Sequence, residues 1–209
     1  NAVAVDAKNM KPCATLMEAA MFKGMKTGFV ATKSITDATP ASFTSHASYR
    51  KLEASIAKHQ LVDTVKIFAP KTANRKYGYD VMLGGGKCHF VPKGSPCSTR
   101  NDTLDLVDLA TRTMGYHYVT SRDDLFAFNS SLSSSTSSHV FGLFADKNLK
   151  FVTDRLVPDS REKEPSLAEM ASVALHALTV NSQKDDSGFF LLIEGSQIDM
   201  AGHNNDAPS

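Results

Sequence analysis

The sequence contains no apolar run approaching the roughly 20 residues that a bilayer-spanning helix needs, so no membrane span is expected within it. It also lacks a charge excess, with 23 Lys and Arg against 22 Asp and Glu and no basic run. A chain so balanced has no electrostatic footprint for nucleic acid as its main partner. No internal repeat is evident. Cysteine is scarce, with three in 209 residues. Cys88 and Cys97 flank a loop containing Pro and Gly, and are a candidate disulfide; three free thiols are the alternative. Cys13 reads as a buried helix residue. Two sequons, Asn101-Asp-Thr and Asn129-Ser-Ser, are glycosylation candidates, and with the cysteine pair they lean towards the secretory pathway. No initiator Met is present. The chain is expected to be an internal piece of a longer protein, residues 1–209 forming one incomplete domain.

What is there alternates between helix and strand, the pattern of an α/β fold. Pro12 is expected to open a helix to about Lys23, with Leu16, Ala19, Ala20 and Phe22 on its apolar side. Thr27 to Thr32 reads as a strand. Ser34 to Pro40 is dense in oxygen side chains, and Pro40 is expected to open a helix through about Lys58. Asp37 and Thr39 precede it, where capping is one role for them. Arg50 falls about three turns into that helix, either a solvated surface residue or a bidentate phosphate clamp. Val65 to Phe68 reads as strand or helix end. Tyr79 to Lys87 is a strand running into three glycines, a phosphate cradle or a close backbone approach at a sheet edge.

Leu104 to Met114 reads as helix and Tyr116 to Thr120 as strand, with Ser121 to Asp124 able to cap the next helix. Residues 129–138 are serine-rich and read as a solvated surface loop. Val140 to Phe144 is a buried strand, and residues 146–164 an exposed connection. Ser166 caps an amphipathic helix carrying Leu167, Met170, Val173, Ala174 and Leu178. Histidines outside the last segment read as scattered surface residues.

The chain is organised around its last strand, Phe189 to Ile193, an apolar run expected to be buried on both faces. It stops at Glu194, and Asp199 and His203 follow four residues apart, on one face if the chain turns helical. Convergence of Glu194, Asp199 and His203 would suit a divalent metal. A helix cap and a solvated histidine are the alternative.

Taken together, these segments resemble one family. Glu194-Gly-Ser-Gln-Ile-Asp199, with His203 four residues on, resembles the alkaline phosphatase signature. Thr36-Asp-Ala-Thr-Pro-Ala41, the spacing from Thr39 to Arg50, and Leu83-Gly-Gly-Gly are similar to further elements of that family, in order along the whole chain. Asn1 to Asp6 looks like the segment shortly after the nucleophile. The Cys88–Cys97 loop and Phe141-Gly-Leu-Phe-Ala-Asp look most similar to fungal vacuolar members.

The resemblance implies a three-layer α/β sandwich with a mostly parallel sheet. It also implies hydrolysis of small phosphomonoesters through a phosphoserine, at two zinc ions and one magnesium. Asp199 and His203 would bind zinc, and Glu194 and Thr39 magnesium, with Asp37 behind them orienting a water or a neighbouring residue. Arg50 would hold two phosphate oxygens. A homodimer is implied, vacuolar or secreted.

The departures concern the rest of the site. The nucleophilic serine element is absent here and expected upstream of Asn1. Also absent are the early aspartate shared by zinc and magnesium, the Asp-His pair of the second zinc and the last histidine of the first. Met200 stands where His or Lys is usual, and Gln197 where Arg is common. The piece alone is therefore expected to be inactive, and a catalytically dead binding or structural domain is the alternative. A nucleotide-binding module built on Gly84 to Lys87 is a further one.

Overall fold

A single sheet of five parallel strands, in the order β3-β4-β2-β1-β5, carries the chain. The computed structural model describes residues 2–6, 8–68, 77–133, 138–156 and 164–206. The strands are β1 (Lys26–Ser34), β2 (Val81–Gly85), β3 (His117–Val119), β4 (Val140–Leu143) and β5 (Phe189–Glu194). The helices are α1 (Leu16–Phe22), α2 (Ala38–Thr44), α3 (Glu53–Lys58), α4 (Thr64–Phe68), α5 (Leu106–Asp108), α6 (Arg122–Ser131), α7 (Leu167–Ser182) and α8 (Ser196–Asn204). A π-helical turn, His59–Asp63, joins α3 to α4, and another, Leu109–Thr113, extends α5.

Alternation along the strands feeds two cores, one on each face of the sheet. Phe29, Met82 and Phe141 point to one face, against Met17 and Met21 of α1, Ala57, Leu61 and Leu106. Val30, Val81 and Val140 point to the other, against Leu125 and Phe128 of α6 and Met170, Val173, Ala177 and Leu178 of α7. Helices thus cover both faces, the three-layer arrangement expected. Each of the larger side chains among these, taken fully from water, contributes about 1.5–3 kcal/mol. Capping boxes at Thr15, Ser121 and Ser166 fix the starts of α1, α6 and α7, each with a carboxylate at the third helical position.

Several expectations change. The first helix starts at Leu16, not Pro12, because Thr15 caps it and Pro12 lies in a backbone bridge with Val5. Its buried face is Met17, Ala20 and Met21, while Leu16 and Phe22 are exposed. Cys13 precedes the helix and is exposed. The helix expected from Pro40 to Lys58 is two helices, since Ser45 turns extended at φ −156° and Val3 pairs with Ala47 in an antiparallel bridge. Arg50 therefore sits in a turn between them. Val65 to Phe68 is helical.

The serine-rich stretch is not a loop throughout, because Asn129 to Ser131 finish α6 and Ser138 is buried beside Asn181; residues 134–137 lie outside the described set. In the connection 146–164, Leu149 and Glu164 are buried. β5 is an edge strand bonded only to β1, so its side chains are half-buried rather than covered on both faces. His46, His59 and His139 are not surface residues: His139 is 8% exposed, the His46 side chain 9%, and the His59 Nδ1 is buried.

The glycine turn lies inside the sheet, not at its edge. A Cβ on Gly84 would stand 2.7 Å from the Ala31 carbonyl oxygen, so glycine lets β1 and β2 close together there. The turn's N–H groups are already committed: Gly86 and Lys87 donate to the Ala145 carbonyl and Cys88 to that of Asp146, each at 3.1 Å. That leaves no open cradle for a phosphate. Cys88 and Cys97 are joined by a disulfide, which closes the loop after it.

Candidate active site

The carboxyl ends of parallel strands are where open α/β sheets gather chemistry. β1 ends at Ser34 and hands the chain to Asp37, which caps α2 by accepting the Ala38 N–H at 2.7 Å. The same carboxylate pairs with Lys33 and accepts from Arg50 Nη2 at 2.8 Å. Burial alone would raise the Asp37 carboxyl. The bonds from Lys33, Arg50 and the Ala38 N–H, with the Lys33 charge, outweigh it and hold the group below the usual carboxylate range.

Arg50 borders two hollows. One, of about 260 Å³, is lined by Ala2, Val3, Thr39 and Ser42. The second, of about 620 Å³, is reached past Asp37 and is lined by Lys33, Lys51, Glu53, His89 and Lys147. Glu53 Oε2 accepts from Ser34 Oγ (3.1 Å) and Thr36 Oγ1 (2.7 Å), and faces His89 Nε2 at 3.0 Å. Here too burial opposes ionisation, and the His89, Thr36 and Ser34 bonds hold the carboxyl below its ordinary range.

The neighbouring strand end supplies the other donors. β5 stops at Glu194, Gly195 precedes α8, and His203 Nε2 lies 3.4 Å from Asp199 Oδ1 one turn away. Both side chains are open to solvent, at 73% and 64% exposed. The structure brings Asp199 and His203 together but does not bring Glu194 into a three-donor cluster with them. Among the described residues the one group of three mutually close donors is Cys88, Cys97 and Asp146, and its sulfurs are already bonded to each other. Thr39 is exposed on the first turn of α2, on the Arg50 side.

Gln197, at a position where arginine is common in the resembling family, is used structurally. Its amide donates to the Leu149 carbonyl and its N–H to Thr32 Oγ1 at 3.1 Å, pinning α8 to β1. Asn129 Oδ1, in the last turn of α6, accepts from His176 Nδ1 at 2.8 Å, and Asn101 is exposed. Sequence reasoning missed Lys33, Glu53, His89 and Lys147. They come from four separate segments with no motif spacing among them, and only the strand order brings them together.

By fold and placement this is an open α/β protein with an arginine–carboxylate pair and a carboxylate–imidazole pair near the carboxyl ends of adjoining strands. A family model for alkaline phosphatase matches residues 1–209. The chain is 42% identical over its whole length to the repressible alkaline phosphatase of Saccharomyces cerevisiae, covering 36% of that protein. It is 40% identical over 95% of its length to an alkaline phosphatase of Schizosaccharomyces pombe, covering 34% of it. The solved alkaline phosphatase of Thermus thermophilus superposes with a TM-score of 0.74 at 31% identity, over 99% of this chain and 36% of that one. The enzyme of the Antarctic bacterium TAB5 gives 0.70 at 28% identity, over 99% and 49%. The chain belongs to the alkaline phosphatase family. It spans about a third of the length of its yeast relatives.

Proposed function

We propose that the full-length protein containing this chain hydrolyses small phosphomonoesters through a phosphoserine, at a centre of two zinc ions and one magnesium. The carrying observation is Arg50, held by Asp37 at 2.8 Å against the hollow between Thr39 and Val3. A guanidinium fixed in this way offers its remaining N–H groups to two phosphate oxygens, where charge-assisted bonds are strong. Asp37 keeps it aimed without lending it a proton.

The donor chemistry fits the ions in part. Asp199 and His203 suit zinc, and the oxygens of Glu194 and Thr39 suit magnesium. When bound, the ions supply positive charge for the phosphoryl oxygens and for the attacking and leaving oxygens. A TAB5 alkaline phosphatase mutant, 29% identical with a TM-score of 0.69, holds Mg in its M3 site. The Cys88–Cys97 bond supports an oxidising location, vacuolar or secreted. A homodimer is proposed on the family's habit.

One observation favours a second reading, an inactive binding domain. Met200 has no proton to donate, and the Gln197 side-chain nitrogen donates to the Leu149 carbonyl. The test is p-nitrophenyl phosphate hydrolysis by the full-length protein, before and after chelation and after zinc and magnesium are restored. Turnover lost and regained is expected. A metal-replete, folded protein without turnover passes the case to the second reading.

A further inference from the structure

His46 lies on the connection between α2 and α3, four residues before Arg50, and both its ring nitrogens are engaged. Nδ1 meets the Ala4 carbonyl oxygen at 2.7 Å and Nε2 meets Glu18 Oε1 at 2.8 Å. A carbonyl only accepts. Glu18 is ionised: burial opposes this, but the His46 bond and the Thr15 N–H on its other oxygen hold its carboxyl below the usual range. An ionised carboxylate also only accepts. Two acceptors require two donors, so the ring is an imidazolium.

The neighbourhood agrees. The ring of His59 stands edge-on to His46 at 5.2 Å. Burial and the His46 charge push His59 below its ordinary range, against Asp63, Glu18 and a Thr44 backbone bond. His46 itself is raised by the Glu18 bond, with burial opposing and the Ala4 carbonyl and Glu18 charge assisting.

Three segments meet at this ring. Val3 and Ala47 exchange backbone bonds of 2.9 and 3.1 Å, and Thr15 Oγ1 donates to the Phe43 carbonyl at 2.8 Å. Residues 2–6, the first turn of α1 and the turn that presents Arg50 are thereby one unit. Val3 and Arg50 both line the smaller hollow.

We propose that His46, as a doubly donating imidazolium, is a positioning residue that sets the spacing between the Ala2–Asp6 segment and Arg50. The proposal rests on the phosphatase reading only in supposing that this hollow receives phosphate.

The test uses the full-length, metal-loaded protein. Ring-nitrogen NMR of ¹⁵N-histidine protein, with His46 assigned by its loss in His46→Gln, is expected to show two protonated nitrogens at neutral pH. His46→Phe is expected to weaken inhibition by inorganic phosphate and raise KM by about tenfold, the scale of a small misplacement of a binding group. His46→Gln, which keeps one donor, is expected to recover part of that loss. Glu18→Gln removes the ring's anionic partner, and is expected to move the alkaline limb of the kcat/KM profile to lower pH in protein that remains folded. A neutral His46, or a Glu18→Gln profile that superposes on wild type, overturns the proposal. A wild-type protein that neither turns over ester nor binds phosphate sinks the functional reading alone. The ring-nitrogen spectrum still decides His46 in that case.

Discussion

Asp37 and Arg50, thirteen residues apart, meet at 2.8 Å, and the carboxylate that receives the guanidinium also caps α2 and pairs with Lys33. One group thus starts a helix and aims an arginine. Its two duties separate under mutation. Asp37→Asn keeps a cap, since Asn caps as well as Asp, but gives up the charge that holds Arg50. The expected result is a fall of tenfold or more in kcat/KM with a thermal midpoint near wild type. Asp37→Ala is expected to lose the same activity and a further ~1 kcal/mol of stability, read by denaturant titration.

The Cys88–Cys97 bond closes a short loop with a sequence separation of 9, beside the helical turn carrying His89. Loop-closure entropy makes such a bond worth about 2–3 kcal/mol. Cys88→Ser with Cys97→Ser is expected to lower the unfolding free energy by about that amount. Unfolding midpoints with and without reductant check it: wild type should respond, and the double variant should not.

Arg122 donates twice to Glu169 Oε1, at 2.9 and 2.6 Å, and Glu169 also caps α7 through Ser166. The Arg122 bond is the largest cause holding this carboxyl at about 2, with burial opposing and the Ser166 bonds assisting. A depressed folded value stabilises the protein fully above the unfolded carboxylate range, and that contribution fades as pH falls towards about 2. The pair is solvent-screened, so its contribution to stability is small. Arg122→Ala is expected to flatten the acid side of the stability profile between pH ~4.5 and ~2, measured by urea midpoints across that window.

Asp199 and His203 are exposed, and removing either should cost the fold little. His203→Ala in the full-length protein is expected to lose about one bound zinc per chain and most of its turnover, with an unchanged thermal midpoint after metal removal. Elemental analysis of dialysed protein checks the first part. Retention of all zinc would remove His203 from the proposed ligand set.

Much of this was open to sequence reasoning where one signal dominated. α7 announced itself through the Ser166 capping box and its apolar spacing, and β1, β2 and β4 through short apolar runs bounded by turn residues. The break after Thr44 did not. Ser45 to Leu52 carries no proline or glycine, and the helix ends because Ala47 is drawn into a bridge with Val3, more than forty residues back. That is tertiary pairing overriding local propensity. The spacing from Thr39 marked Arg50 as a candidate, but the turn it occupies and its bond to Asp37 were not visible. Glu53 and His89 were missed for the same reason, since neither has a neighbour in sequence that marks it. β5 was misjudged because an apolar run looks alike in an interior strand and at a partly covered edge.

The position of β1 has a mechanical consequence. It lies between β2 and β5, and its end supplies Lys33 and Asp37 while its flank carries Glu194, paired with Ala31. The Asp37–Arg50 pair and the carboxylate–imidazole pair therefore share one fulcrum. A void beneath Phe29 would tilt both halves of the site together, so phosphate affinity and zinc affinity should deteriorate in step. A void beneath Val119, three strands away on β3, should soften the sheet and leave the two affinities as they were.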